Sequence, residues 1–384
     1  MGNINLELNN FELPINCTKD SEYYNTLKNK LTEYLNHVKS RLNNKKIINE
    51  LEDNKDLILD SIDKYYNADF SSAKNNIMKI LKKYEKSNSF IISDINNSYA
   101  FRGLVPYLNL QISYSFKSES IDDKGYPLSF FKARDLDDKL YAKDMLHIPL
   151  NLRGSASTNR FSMPGIPCIY LATTSYCCWL ELNMPNKHNF YVSSFEIPTD
   201  LKVLNLCISQ RLINGFSIYD NNDQLNLVNQ MIAIWPLICA SSFTISEKNR
   251  VFKSEYIISQ LIMQCALEMG IDSIAYLSTK ISDSYSYPQC VNLAIPIKKE
   301  NSIDETYWEH SLKTQITNPV LFSDFLNEKL KKFEKKSYIN NTYEKKSYND
   351  QITMLEKLLY YSDSKFSQFD DYLVNQKYYR FNQK

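Results

Sequence analysis

The sequence predicts an α+β protein with a helical N-terminal domain, a mixed domain of strands and helices, and a charged C-terminal region. Residues 20 to 85 contain neither Gly nor Pro, and their apolar residues recur at spacings of three and four, which is typical of amphipathic helices. Between residues 129 and 300, apolar runs with the properties of strands alternate with longer apolar runs that suit helices. With 384 residues, 43% of them apolar, the chain is long enough for two or three domains.

Three helices are predicted in the N-terminal part from the spacing of its apolar residues. The residues that define them are Tyr24, Leu27, Leu31, Tyr34, Val38 and Leu42, then Ile58, Ile62 and Tyr65, and then Phe70, Ala73, Ile77, Leu81 and Tyr84. Asp69 or Ser71 is the expected N-cap of the third helix. We assign residues 1–100 to a helical domain and residues 101–128 to a linker, which contains a turn marked by Gly103 and Pro106.

The mixed domain is assigned to residues 129–300. Its expected strands include Phe190–Ile197 and Leu201–Leu206, paired with each other around the turn residues 198–200, and also Asp272–Leu277 and Val291–Ile297. Its expected helices are Leu225–Ser241 and Glu255–Met269, the second closed by Gly270 as a C-cap.

The C-terminal region, residues 301–384, is polar and charged and is expected to be helical, with one helix at Met354–Tyr361. The sequence Glu-Lys-Lys-Ser-Tyr occurs at 334–338 and again at 344–348, a local duplication rather than a solenoid period. The basic, Tyr-containing tail is predicted to be a solvated helical segment. Contact with nucleic acid is the alternative.

Composition excludes several classes of protein. The net charge of +1 gives no overall field that would draw the chain to nucleic acid or to an anionic membrane. The eight cysteines form no Cys-x-x-Cys pair, which favours reduced thiols in a cytoplasmic protein over a disulfide framework or a zinc site. The sequence shows neither a signal peptide nor an apolar run of about 18 residues, so no membrane association is expected.

Residues 159–181 form the most informative segment of the chain. Met163–Pro167 predicts a turn and Cys168–Ala172 a buried strand, and residues 174–175 can cap a helix that begins immediately afterwards. Glu181 lies in the apolar start of this helix, where a carboxylate is costly unless something pairs with it. Glu181 is therefore a candidate functional residue. A partly exposed Glu on an ordinary helix is the alternative.

The segment Arg160-Phe-Ser-x-Pro-Gly-x-Pro-Cys-x-Tyr170-Leu, with Glu181 eleven positions after the Tyr, resembles the core of the RES domain. That family is named for an Arg, a Glu and a Ser. The resemblance extends from about residue 130 to residue 297 and leaves both ends of the chain uncovered. It implies an ADP-ribosyltransferase-like fold and a toxin that destroys NAD by phosphorolysis or hydrolysis.

Some RES proteins have a helical N-terminal domain related to the HEPN group, which the predicted helices at the start of this chain resemble. HEPN nucleases need an Arg shortly before a His, and no Arg precedes His37 in this way. We therefore predict no nuclease site in the N-terminal domain.

The segment Ser129–Arg134 resembles the first strand of a RES domain, in which two basic residues alternate. Here these residues are Lys132 and Arg134, which share one face of a strand. The functional Arg of the family corresponds to Lys132, and Lys lacks the planar fork that grips a pyrophosphate at two points. Either Arg134 holds the phosphates or the activity is altered. A solvated basic pair on an edge strand is the alternative.

The resemblance also implies roles for other residues. Glu181 would bind a ribose hydroxyl and stabilise the positive charge that develops on the sugar. Tyr170 would stack on a ring, and Ser278, which matches the family's Ser, would orient the ribose or the attacking phosphate or water. Arg153 and Arg160 are candidate phosphate ligands. The alternative role of Arg160 is to pin the turn through its carbonyl groups.

His147 lies before the central segment, in a part of the chain that one branch of the family also shows, and is either a substrate contact or a packing residue. The four His residues are scattered, so a hydrolytic metal centre is not expected. Neither Gly-x-Gly-x-x-Gly nor a P-loop occurs, which argues against a Rossmann dehydrogenase or an NTPase.

The predicted function is therefore that of an NAD+ phosphorylase or glycohydrolase in a toxin–antitoxin or phage-defence role. It would use no cofactor, with NAD+ as substrate and inorganic phosphate as a candidate co-substrate. An antitoxin is the expected protein partner. Two alternatives stay open, namely an ADP-ribosyltransferase that modifies a macromolecule and a catalytically degenerate domain that binds a partner.

Overall fold

The structure is a computed structural model, and it describes residues 10–85, 90–101, 128–156, 158–198, 200–216, 222–247, 249–282, 289–297, 314–327 and 351–380. The predicted α+β class is confirmed, because helices and a mixed set of strands occur throughout these residues. Most of the predicted linker and both copies of the Glu-Lys-Lys-Ser-Tyr repeat lie outside the described residues.

The helices of the described residues are numbered in chain order. They are α1 (Tyr23–Arg41), α2 (Lys45–Tyr66), α3 (Phe70–Lys82), α4 (Ser175–Glu181), α5 (Gln210–Phe216), α6 (Asn222–Ala240), α7 (Ile257–Glu268), α8 (Phe322–Leu326) and α9 (Lys365–Val374).

The strands of the described residues are numbered in the same way. They are β1 (Ile15–Cys17), β2 (Ile92–Asp94), β3 (Ser129–Asp135), β4 (Cys168–Ala172), β5 (Phe190–Glu196), β6 (Lys202–Leu206), β7 (Phe243–Ile245), β8 (Ser273–Leu277), β9 (Val291–Pro296), β10 (Gln315–Thr317), β11 (Val320–Leu321), β12 (Gln351–Met354), β13 (Lys357–Tyr360) and β14 (Tyr378–Arg380).

The chain forms two compact units, each assembled from separate segments. The first unit comprises residues 1–93, 158–163 and 203–284, and the second comprises residues 94–157, 164–202 and 285–384. These packing units cross the consecutive boundaries that were assigned from the sequence at residues 100, 128 and 300.

In the first unit, the three predicted N-terminal helices are present as α1, α2 and α3, and Asp69 caps α3 by accepting a hydrogen bond from the Ser72 backbone. The apolar faces of α1 and α2 pack on α6, α3 packs on α2 and α7, and residues 231–240 of α6 are all buried. The ring of Tyr34 stacks on Trp235 at 4.1 Å between centroids, and the Asn54 side chain donates to the Ala233 carbonyl at 2.8 Å. An all-round apolar helix such as α6 needs this enclosure.

In the second unit, the strands form an antiparallel array in the order β14-β10-β5-β3-β4-β9, with β11 also paired to β5. Phe131 of β3 pairs with Ala172 of β4, and Tyr170 of β4 pairs with Ala294 of β9. Helix α4 follows β4 after a two-residue connection, so the middle of this array positions both the basic strand and the helix that ends at Glu181.

The predicted pairing of β5 with β6 is wrong. Strand β5 pairs with β3 and β10, whereas β6 pairs in parallel with β8, with Val203 opposite Ser273. Consecutive strands often pair, and Pro198 with its polar neighbours is typical of a turn. However, Val203 to Leu206 are all buried, a continuous apolar pattern that is typical of parallel strands.

The helix predicted at Met354–Tyr361 is also wrong, because β12 and β13 form an antiparallel hairpin there. Leu355 and Glu356 at its tip have φ angles of 49° and 67°, as the two-residue hairpin turn with two left-handed residues requires. The tail is not solvated as predicted over its described part, since Ile352 of β12 and Phe369, Leu373 and Val374 of α9 are buried.

Candidate functional site

The basic residues of β3 lie together, as predicted from their spacing. The Lys132 ammonium group donates to the carbonyl oxygen of Leu146 at 3.0 Å, and Arg134 Nη2 donates to the same oxygen at 3.3 Å. Burial and the adjacent Arg134 charge lower the pKa of Lys132 to about 7, and burial also lowers the pKa of Arg134. Two neighbouring cations therefore share one neutral acceptor.

Neither of these cations has an acidic partner at ion-pair distance among the described residues. The charge of Asp144 acts on Arg134 only from farther away and favours its charged form. Both side chains are half-buried. Like charges that are partly removed from water without a counter-ion are unfavourable, and an anion that binds between them relieves both desolvation and repulsion.

His147 lies next to this pair and is buried. Its Nδ1 atom is 2.8 Å from the Ile148 carbonyl oxygen, whereas its buried Nε2 atom has no hydrogen-bond partner. Burial, with the nearby charge of Lys132, lowers the pKa of His147. Arg134 Nε is likewise buried without a partner. Because buried polar atoms are normally hydrogen-bonded, these two nitrogens are candidate contacts for a ligand or water.

Glu181, at the end of α4, is held by Asn292 of β9. The Asn292 amide nitrogen donates to Glu181 Oε1 at 2.5 Å, and the Cys177 thiol donates to Asn292 Oδ1 at 3.4 Å. Contact with the Cys290 thiol, together with burial, raises the pKa of Cys177 well above its usual range, so this thiol stays a donor. The thiol orients the amide so that its NH2 group faces the carboxylate.

Asn292 is a site residue that the sequence reasoning missed. The available signal was a polar residue within the otherwise apolar strand Val-Asn-Leu-Ala-Ile-Pro. A buried amide in such a strand needs partners of its own.

Helix α4 begins as the sequence predicted, with Thr174 as its N-cap. Thr174 Oγ1 accepts from the Cys177 backbone at 3.1 Å and donates to the Gln289 carbonyl oxygen at 2.6 Å. This double contact ties the start of α4 to the segment that leads into β9, the strand that carries Asn292. The same two elements therefore fix both partners of the Glu181–Asn292 hydrogen bond.

Cys178 of α4 lies within electrostatic range of Lys132 and of Glu181. Burial raises the pKa of its thiol well above the usual range, the charges of Asp370 and Glu181 raise it further, and the charge of Lys132 lowers it. Its thiol also donates to the Phe131 carbonyl oxygen of β3 at 3.4 Å. Lys132 and Glu181 thus both act on one buried side chain.

The other predicted residues have different surroundings. Tyr170 is half-buried on β4, opposite Ala294 of β9. Arg153 is exposed, and its Nε donates to the Leu150 carbonyl of its own 3₁₀ segment at 3.0 Å. Ser278 belongs to the first unit, where it is buried and accepts from the Lys280 backbone at 3.2 Å.

Arg160 also belongs to the first unit and is buried. Its guanidinium donates to the carbonyl oxygens of Ser241 at 3.2 Å and Leu277 at 2.9 Å, and it lies 4.5 Å from the centre of the Tyr276 ring. These contacts correspond to a pinning role, although the carbonyls belong to segments outside the turn. The role of Arg160 in phosphate binding stays a prediction.

Within the described part of the chain, no group of three His, Cys, Asp or Glu side chains is arranged to hold a metal ion. The described helices include none that is both long enough and apolar enough to span a bilayer.

Comparison with known proteins gives one similar sequence and one structural match. No family model matches the chain. It is 32% identical over 228 residues to a Bacillus subtilis (strain 168) protein named "Putative toxin YopC", an alignment that covers 55% of this chain and 50% of that protein. The chain therefore spans about half the length of this relative.

The structural match is to the crystal structure of the M. tuberculosis MbcT-MbcA toxin-antitoxin complex. It covers 53% of this chain and 88% of that chain, with 12% sequence identity and a TM-score of 0.26. A match at this TM-score supports no argument about fold or function.

Proposed function

We propose that the chain is a toxin that cleaves the bond between nicotinamide and ribose in NAD+. The observation that supports this most directly is the charge arrangement of the second unit. Lys132 and Arg134 lack an acidic partner among the described residues, while Glu181 is held by Asn292 and Cys178 lies within electrostatic range of Lys132 and Glu181. NAD+ carries an anionic pyrophosphate and reacts at a sugar that becomes positively charged.

The basic pair is suited to the pyrophosphate. Arg134 offers a planar fork with an unpartnered buried Nε, and Lys132 adds a point charge beside it. His147 Nε2 provides a further buried polar atom next to the pair. Binding of an anion stabilises the charged form of Lys132, so substrate binding is coupled to proton uptake.

Glu181 is suited to the reacting sugar. Asn292 donates to one carboxylate oxygen, which fixes the side chain and leaves the other oxygen for a ribose hydroxyl. As the bond from C1′ to the nicotinamide nitrogen breaks, nicotinamide leaves with the electron pair and positive charge develops on the ribose. A fixed carboxylate stabilises this charge without reorganising.

The second substrate completes the reaction. An oxygen of water or inorganic phosphate forms the new bond to C1′. Water loses a proton and gives ADP-ribose, whereas phosphate gives the ADP-ribose phosphoester. The roles of Tyr170 as a stacking wall and of Ser278 in orienting the nucleophile come from the family resemblance and belong to this proposal.

The sequence relative supports the toxin part of the proposal, because that protein is named as a toxin and is similar over 228 residues. The resemblance of residues 130–297 to the RES domain supports the NAD part. It also suggests an antitoxin as the physiological partner.

Transfer of ADP-ribose to a macromolecule is the second candidate, since it uses the same bond cleavage with a different acceptor. A partner-binding domain without activity is the third. Incubation of the purified chain with NAD+, with and without inorganic phosphate, and identification of the products separates these. The proposal expects free nicotinamide with ADP-ribose or its phosphoester. Intact NAD+ after hours at micromolar protein, with cellular NAD+ unchanged on expression, would overturn it.

Glu181→Gln is the variant that tests the role of this carboxylate. It keeps the shape and removes the charge, and the expected loss of rate is roughly 10²–10³-fold. Glu33→Gln on the exposed surface of α1 is the control and is expected to keep full activity. A folded Glu181→Gln protein with an unchanged rate would remove this residue from the mechanism.

A further inference from the structure

The C-terminal segment packs directly on α4, the helix that ends at Glu181. Phe366 of α9 lies 5.2 Å from the Tyr176 ring and 5.6 Å from the Trp179 ring, and it stacks on Phe322 of α8 at 4.9 Å. These aromatic side chains form a continuous apolar contact between α4 and the tail. The resemblance to the RES domain ends at about residue 297. Helix α4 lies within it, whereas α8 and α9, which supply the other side of this contact, lie beyond it.

Asp370 of α9 adds a polar connection inside this apolar contact. Its Oδ1 accepts from the Ser175 backbone N–H at 3.0 Å, and its Oδ2 accepts from the Tyr361 hydroxyl at 2.6 Å. The side chain is 4% exposed. The first N–H groups of a helix have no partner within the helix, so Asp370 satisfies one of them while Thr174 satisfies another.

The presence of a buried carboxylate at this position calls for a physical reason. A buried charge is costly, and no described basic side chain forms a salt bridge with Asp370. The two hydrogen bonds are geometrically specific, whereas apolar packing alone would allow α4 to slide or rotate. The carboxylate thus defines the position of the helix relative to the tail.

We propose that Asp370 is a positioning residue for Glu181. It fixes Ser175, the first residue of α4, and Glu181 is the last residue of this seven-residue helix. The backbone rises by six residue steps from Ser175 to Glu181, about 9 Å along the helix axis. A tilt at the first turn therefore displaces the carboxylate at the other end. The catalytic part of this inference rests on the proposed function. The structural part, that Asp370 fixes α4, does not.

The test uses the full chain with Asp370→Ala, Asp370→Asn and Tyr361→Phe. Asp371→Asn, a change on the neighbouring exposed residue of α9, is the matched control. Two quantities are measured, the kcat and KM for NAD+ and the hydrogen exchange of the α4 amides. A tenfold or larger fall in kcat with KM within about twofold is expected for Asp370→Ala, because NAD+ still binds while Glu181 is misplaced.

Faster exchange in α4 is expected for the same variant, while other helices keep their protection. Asp370→Asn keeps an acceptor oxygen for the Ser175 N–H. Its kcat and its α4 exchange should therefore stay close to those of the unmodified protein. Tyr361→Phe should have an intermediate effect, and Asp371→Asn should match the unchanged protein.

Unchanged kcat and unchanged α4 exchange in folded Asp370→Ala would overturn the inference, as would a rise in KM at constant kcat. If Asp370→Ala does not fold, Tyr361→Phe carries the test, and normal α4 exchange with normal kcat in this variant would overturn the inference. If the unmodified chain leaves NAD+ intact, the proposed function fails with the catalytic part of the inference. The exchange data then decide by themselves whether Asp370 fixes α4.

Discussion

Two cationic sites of the molecule differ in how their charge is balanced. In the first unit, Arg250 donates to both oxygens of Glu255 at 2.7 and 2.9 Å and to Asp20 at 2.5 Å. In the second unit, Lys132 and Arg134 share the neutral Leu146 carbonyl oxygen. Arg250 comes with its own carboxylates, whereas Lys132 and Arg134 have none at ion-pair distance among the described residues, so of these two sites theirs is the one available to an anionic ligand.

The pKa values of the two sites reflect this difference in charge balance. Hydrogen bonds to Glu255 raise the pKa of Arg250, whereas burial and repulsion lower the pKa of Lys132 to about 7. A group whose charge is stabilised within the fold contributes to stability, and one whose charge is destabilised is poised to gain from a ligand.

The largest expected effect is the loss of stability on Arg250→Ala. This change leaves the buried Glu255 carboxylate without its main partner and is expected to cost roughly 3 kcal/mol in the free energy of unfolding. The rate of NAD+ cleavage per folded molecule should not change. Denaturant unfolding and activity assays on the same sample test this, and a large loss of activity with normal stability would break the comparison.

Arg134→Ala is expected to show the opposite pattern. It should lower kcat/KM for NAD+ by about 30-fold or more, which corresponds to the roughly 2 kcal/mol of a charge-assisted contact, and leave the melting temperature unchanged or higher. Lys132→Ala should lower kcat/KM by less than Arg134→Ala does, and Lys132→Arg should leave kcat/KM equal or higher. Thermal melts check folding. If Lys132→Ala is inactive while Arg134→Ala is near normal, Lys132 is the residue that holds the phosphates.

A smaller effect is expected in the pH dependence of anion binding. The free protein holds Lys132 near half-protonated at pH 7, so binding of ADP-ribose, whose pyrophosphate keeps its charge, takes up a proton. Its affinity should therefore fall as pH rises above 7, by at most tenfold per pH unit. Calorimetry at pH 6.5 to 8.5 measures this. His147, whose pKa burial lowers, is mostly neutral over this range, and Lys132→Arg should remove the slope.

A further pH effect concerns Asp370, a carboxylate with no basic partner at ion-pair distance among the described residues. Burial raises its pKa to about 7, and the charge of Asp371 adds to this, while the Tyr361 and Ser175 hydrogen bonds act in the opposite direction. The folded state therefore binds more protons than the unfolded state between about pH 4 and pH 7, so stability should fall as pH rises through this window. Thermal melts across the window should show a flatter dependence for Asp370→Asn than for Asp371→Asn.

Several local features were predictable from the sequence alone. The apolar spacing placed three N-terminal helices, Asp69 was one of two expected caps of α3, and Thr174 lay in the pair expected to cap α4. Gly165 and Gly270 have φ angles of +76° and +69°, as a turn and a helix C-cap require. Each of these depends on neighbours within a few residues, and this information is present in the sequence itself.

Lys132 and Arg134 belong to the same group, because side-chain alternation along a strand places both on one face. Their shared acceptor, Leu146, comes from a loop whose path no local pattern specifies. The sequence therefore predicted the direction of the two cations. Their proposed role depends on the absence of an acidic partner at ion-pair distance among the described residues, and only the structure reveals this.

Tertiary structure decided which strands pair and which distant residues meet. Strand β6 satisfies the same apolar pattern with β8 as it would with β5, and the hydrogen bond from Asn292 to Glu181 joins residues 111 positions apart. Asp370 and Ser175 are separated by 195 positions. Local propensity determines helices, caps and turns, whereas the partner of a buried polar group is chosen by the packing of the whole unit, which lies outside any short segment of sequence.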